Sequence, residues 1–142
     1  MIKTVYFAHP RISETKGAAL LLLKQVQKEF PNWKFINPFD HELTEKWKKE
    51  PTEQTADLIV QKDLDLICES DIVFAYLPDM ITDECNYSTF GTSMEIFYAS
   101  FIMNKSVYIL TPFWHPWLLA FGTICENTIE KLIEKMRYKE CK

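Results

Sequence analysis

The sequence predicts an α/β domain built on a parallel sheet of four to five strands with helices on both faces, and three observations carry that prediction. Short runs rich in β-branched and aromatic residues alternate along the chain with longer segments of helical periodicity, which is the pattern of repeated strand-helix-strand units. The 142 residues lie within the ~100–200 usual for one domain, so a single domain spanning 1–142 is expected. The composition, 47% hydrophobic and 25% charged, matches the globular average and excludes disorder, collagen-like repeats and a small disulfide scaffold.

Taken in order, KTVYFA (3–8) is an apolar run that stops at His9-Pro10, and residues 13–30 place Leu22, Val26 and Phe30 at four-residue spacing before Pro31. The run WKFIN (33–37) ends at Pro38 as a second strand. The Lys/Glu-rich stretch 40–54 reads as a long loop or a short exposed helix, and a helix follows from about Thr55 to Glu69. DIVFAYL (71–77) is a third strand. A polar loop is expected to about Phe90, followed by a nearly all-apolar helix over 92–103. SVYIL (106–110) is a fourth strand, a short edge strand is expected near 121–124, and Ile129, Leu132, Ile133 and Met136 mark a closing amphipathic helix. No internal repeat interrupts this order.

Charge narrows the function classes. Sixteen Lys+Arg against twenty Asp+Glu, interleaved and without a basic block, give no electrostatic hold on a nucleic-acid polymer. Arg11 and Arg137 are the only guanidinium groups. Cys68, Cys85, Cys125 and Cys141 form no metal or redox spacing, and MIKTVYF does not resemble an export signal, so a reduced, cytoplasmic setting is expected. The uncharged stretch 106–125 is broken by Pro112, His115 and Pro116 and reads as strand plus aromatic loop, not a membrane span. With three glycines, neither a dinucleotide fingerprint nor a Walker A loop can be written.

In a sheet of this kind ligands bind beyond the carboxyl ends of the strands, where the strand order reverses. Two carboxylates near that crevice are out of place. Glu95 stands inside the apolar MEIFYASFIM, where a charge is costly unless partnered. Thr92-Ser93-Met94-Glu95 matches a capping box, which would explain Glu95 structurally; the same placement would also put a carboxylate in a first helical turn, at the positive end of the dipole and facing the crevice. Asp63 projects into the stripe of Ile59, Val60, Leu66 and Ile67, whereas Asp57 and Asp65 point away. It reads either as a buried hydrogen-bonding Asp or as an acid/base group with a raised pKa. Tyr6, near the end of the first strand, is core or part of a site. Two carboxylates and a phenol converging on one crevice suit cleavage at a sugar carbon, where one carboxylate attacks and another group protonates the leaving group.

Other candidates are weaker. His9 beside the crevice either touches a substrate or bonds the backbone, and Asp40-His41-Glu42 reads as a solvated turn and not a metal site. Asp71, opening the third strand, reads as structural. The rings of Phe113, Trp114 and Trp117 fit a base-stacking wall, an interface between subunits or plain core.

The order of Tyr6 on the first strand, Asp63 in KDLDLICESD, DIVFAYLPD, and FGTSMEIFYASFIMNKSVYIL resembles the nucleoside 2-deoxyribosyltransferase family and the related deoxynucleoside 5'-monophosphate N-hydrolases, over residues 3–111. The most specific part is G-T-x-x-E followed by an apolar helix, a Lys and a strand. The resemblance implies a flavodoxin-like doubly wound sheet and a homo-oligomer in which a neighbouring subunit helps close the site, without metal or organic cofactor. It implies that Glu95 is the nucleophile forming a glycosyl-enzyme at C1', that Asp63 assists protonation of the leaving base, and that Tyr6 stands beside the nucleophile. Gly91 belongs to the motif. The partners implied are a small nucleoside or nucleotide and a free acceptor base.

Three departures leave the acceptor, water or a second base, open. Thr89, preceded by Ser88, stands where the transferases carry an Asp that holds the sugar and the hydrolases a serine that helps hold phosphate. The loop AHPRISETKG lacks the hydrolases' early glycines, although Arg11 lies close to their phosphate-binding arginine. A C-terminal asparagine found in some transferases has no match near Trp117. A non-catalytic nucleotide-binding or sensing module on the same fold is the alternative reading, because fold alone does not give function.

Overall fold

The computed structural model describes residues 2–10, 13–39, 43–78 and 83–142; of these, 13–16, 44 and 83–89 are described by their backbone alone. Five parallel strands, β1 (Thr4–Ala8), β2 (Lys34–Ile36), β3 (Ile72–Tyr76), β4 (Ser106–Leu110) and β5 (Ile124–Glu126), form one sheet in the order β2-β1-β3-β4-β5. This is the flavodoxin-like doubly wound order, in which the direction of winding reverses between β1 and β3. The helices are α1 (Ser13–Glu29), α2 (Leu43–Lys49), α3 (Glu53–Glu69), α4 (Asp83–Phe97), a single turn α5 (Pro116–Leu119) and α6 (Ile129–Glu140).

Strand alternation sorts the core into two layers. Val5 and Phe7 of β1, with Ile72 and Phe74 of β3, face Ala19, Leu23 and Val26 of α1 and Leu132 and Met136 of α6. Tyr6 and Ala8, with Val73 and Ala75, face Ile67 of α3 and Ile96 and Ala99 on the α4 side. Both strands are buried on both sides, so they read as continuous apolar runs. At the switch point Ala8 pairs with Ala75, and two methyl side chains there leave room above the strand ends.

Local chemistry fixes the helix ends. Thr52 caps α3 by accepting from Thr55 N at 3.2 Å, and Thr128 caps α6 by accepting from Lys131 N at 3.4 Å. Lys105 Nζ donates to Cys68 O at 2.8 Å and Ser70 O at 2.6 Å, satisfying carbonyls at the end of α3. Asp71 has the structural role expected of it, accepting from Thr4 N at 2.8 Å through Oδ2.

The expected loop to Phe90 is overturned, since α4 already begins at Asp83. Thr92 is consequently a residue of the helix interior, and no capping box forms around it. Beyond Phe97 the helix widens into a π turn over Tyr98–Ile102 that closes through Met103 N to Tyr98 O at 3.0 Å, ending at Asn104 with φ 51°. The fifth strand lies at 124–126, just past its expected place. No described helix is long and apolar enough to cross a membrane.

Candidate active site

β1 carries Tyr6 to the middle of the sheet, fully buried and facing α3 and α4. Its hydroxyl donates to Glu95 Oε2. Glu95 is half-buried and reaches Tyr6 from the later part of the helical run 83–102. Asp63 comes from α3, also half-buried, and its charge acts on both Tyr6 and Glu95. The structure thus brings Tyr6, Asp63 and Glu95 together from three elements around the β1/β3 switch point.

The electrostatics follow from that placement. Burial is the largest influence on Glu95 and pushes its carboxyl up; the Tyr6 hydrogen bond pulls the other way, Asp63 pushes further up, and the balance stands at about 8. The phenol of Tyr6 is driven far above its ordinary range by burial, then by the charges of Glu95 and Asp63, so it is a donor only. The dipole argument for an ionised Glu95 is corrected here, because the residue lies far from the amino end of α4. Burial beside a second carboxylate thus favours the neutral form of Glu95.

Among the remaining sequence candidates, Gly91 lies on α4 four residues before Glu95, exposed, and an added Cβ there would meet nothing within 4 Å. Ser88 and Thr89 lie in α4, and their side chains fall outside the described residues, as do Arg11 and the whole of Asp40-His41-Glu42. His9 is not brought to the trio. It is buried, with Nδ1 3.2 Å from Pro10 O and Nε2 3.2 Å from Asn37 Oδ1, and stacks on Phe7 at 4.4 Å, on the α1 side of the sheet. Val60 is exposed, contrary to its place in the expected stripe, while Asp57 and Asp65 are exposed as read. Phe113, Trp114 and Trp117 are exposed, which removes the plain-core reading of those rings. The described residues hold no cluster of metal-ligating side chains.

Sequence reasoning missed Thr92 as a buried group, because Gly91-Thr92 looked like a helix start. The sequence did carry a signal for an earlier start, because Thr, Asp and Glu at 82–84 are a cap-forming residue type ahead of acidic ones.

No family model matches the chain, and no curated protein matches it. Solved structures do. A 2-deoxyribosyltransferase of Bacillus psychrosaccharolyticus superposes with a TM-score of 0.67 at 18% identity, over 92% of this chain and 90% of that one. A CMP N-glycosidase of Clostridium botulinum gives 0.58 at 17% identity, over 96% and 99%. A 2-deoxyribosyltransferase of Leishmania mexicana gives 0.62 at 15% identity, over 97% and 99%. The fold is shared. At these identities the likeness extends over nearly the full length of each chain and concerns architecture.

Proposed function

We propose that this protein cleaves the N-glycosidic bond of a 2'-deoxynucleoside or its 5'-monophosphate through a covalent intermediate on Glu95. The observation that supports this reading best is the meeting of Tyr6, Asp63 and Glu95 at the switch point of a fold shared with two deoxyribosyltransferases and an N-glycosidase.

Tyr6 holds Oε2, and Oε1 attacks C1' of the sugar. The C1'–N bond breaks, its electron pair stays on the base nitrogen, and that nitrogen takes a proton. Asp63 is on hand to supply it: the proton that Glu95 must lose to become a nucleophile is the one that the carboxyl pair can pass to the leaving base. Water or a second base then attacks C1', returns the carboxylate of Glu95 and gives up its own proton. The departing charge needs no metal or organic cofactor in this scheme.

The preferred substrate in this reading is the 5'-monophosphate. An Asp at position 89 would repel a phosphate of roughly −1.5 to −2 charge, and this chain has Thr89; the neighbour named for CMP acts on a nucleotide. The helix start does not add to that argument, because it lies at Asp83 and not near Thr92. Ser88 and Arg11 are the further phosphate donors proposed from the sequence, and Gly91 the point of close approach. A second copy of this chain is proposed to cover the exposed apolar side of α4.

The experiment is chromatography of deoxynucleosides, ribonucleosides and their monophosphates incubated with the protein, with and without free base. Release of free base from a monophosphate supports hydrolysis, and base exchange supports transfer. The binding-module alternative draws on Glu95 being held largely protonated at neutral pH; intact ligand recovered after long incubation at pH 7 and at pH 9 would favour it.

A further inference from the structure

We propose that Thr92 is a positioning residue for Glu95, its buried hydroxyl being the donor that holds the ionised carboxylate for attack; the role in attack rests on the reading of Glu95 as nucleophile. Thr92 is 1% exposed, and its Oγ1 is buried without a hydrogen-bond partner. A hydroxyl inside a helix ordinarily bonds the carbonyl four residues back, as Ser100 does to Ile96 O at 2.8 Å. Thr92 does not. An unmet buried hydroxyl is costly, and a valine of the same shape would avoid that cost, so the group calls for a reason.

Placement supplies one. The sheet-facing stripe of this helix is Thr92, Ile96, Ala99 and Ser100, all buried. The helix starts beyond the carboxyl end of β3 and packs on β1 and β3, so Thr92 is the member of that stripe nearest the strand ends and the crevice. Residues 92 and 95 are neighbours on the helix surface. The groups facing Glu95 are Tyr6 from β1, which donates to Oε2, and Asp63 from α3, which repels. Among the described residues no hydrogen bond reaches Oε1, and the charge of Asp63 pushes the carboxyl of Glu95 up. A neutral carboxyl manages with one donor, but an ionised one beside a second carboxylate needs another, and the idle hydroxyl one turn away provides it by rotating about its side-chain bond.

The test is the titration of the Glu95 carboxyl carbon by NMR in 13C-glutamate-labelled protein, assigned by its loss in Glu95→Gln, for wild type, Thr92→Val and Thr92→Ser. Thr92→Val is expected to melt at or above the wild-type temperature, to move the Glu95 midpoint up by about 0.5 pH or more, and to lower kcat/KM about tenfold through kcat. Thr92→Ser restores the midpoint and most of the rate. Thr92→Ala gives the same upward shift and serves if the valine does not pack. An unmoved midpoint in Thr92→Val or Thr92→Ala, or no rescue by Thr92→Ser, overturns the proposal. The titration needs no substrate, so its shift stands apart from turnover: if no nucleoside is cleaved, the nucleophile reading fails while the hydrogen bond is still decided.

Discussion

At the scale of the residue, Glu95 is set between three influences, and each can be changed alone. Under the proposed mechanism Glu95→Gln replaces the attacking carboxylate with an amide, so turnover is expected to vanish while the fold persists, and the pH dependence of stability supplies an independent check. The folded carboxyl is pushed up to about 8 from an ordinary value of 4.5. Folding therefore gains from holding this proton fully below about 4.5 and loses that gain as pH rises through 8. A glutamine stays neutral throughout. Glu95→Gln should match wild type near pH 4.5 and exceed it by up to about 5 kcal/mol at pH 9, seen as several degrees or more in parallel thermal melts. Activity should rise with pH toward a midpoint near 8 in kcat/KM, because the proposed mechanism needs the ionised form. Tyr6→Phe deletes the bond that lowers that midpoint and should move it up; Asp63→Asn deletes the charge that raises it and should move it down. Shifts of the same sign in both variants would contradict this account of the trio.

At the scale of the element, α4 shows what a sequence discloses and what it hides. The strands were legible because β1, β3 and β4 are buried on both faces and read as unbroken apolar runs. Tyr6, Asp63 and Glu95 were legible as polar groups in apolar settings, and the structure brings those three together. The first half of α4 was not legible, since the chain from 83 to 90 has few apolar residues and no helical apolar period, and on the described part the large apolar side chains Phe90 and Met94 face outward while Thr92 faces the sheet. Gly91 belongs to the same misreading: taken for a loop residue, it lies within the helix, where glycine costs about 1 kcal/mol relative to alanine. With nothing within 4 Å of an added Cβ, Gly91→Ala should raise stability by about 0.5–1 kcal/mol in chemical denaturation. One turn before Glu95 that methyl would meet an approaching sugar, so KM should rise severalfold with kcat changing less. A stabilised variant with unchanged KM would show that substrate does not approach the helix there.

At the scale of the whole molecule, the outward face of α4 poses the remaining question. Phe90, Met94, Phe97 and Phe101 recur at spacings of three and four residues and so share one side of the helix. Phe90 is 70% exposed, and Phe97 and Phe101 continue the surface into Trp117 and Phe121 through ring contacts at 4.4–6.2 Å. An apolar area of several large rings is more than a soluble monomer usually leaves open to water, which supports the proposal that a second copy covers it. If a second copy covers it, the helix that carries Glu95 is itself part of the interface, and loss of the contact must be felt at the site. Sedimentation velocity of wild type at micromolar concentration is expected to show a dimer or higher oligomer. Met94→Lys with Phe101→Glu should yield a monomer that remains folded by circular dichroism, because neither side chain belongs to the buried core, while kcat/KM falls at least tenfold. A wild type that sediments as a monomer across that range would refute the interface, and a monomeric double variant with full activity would show that the site is complete within one chain.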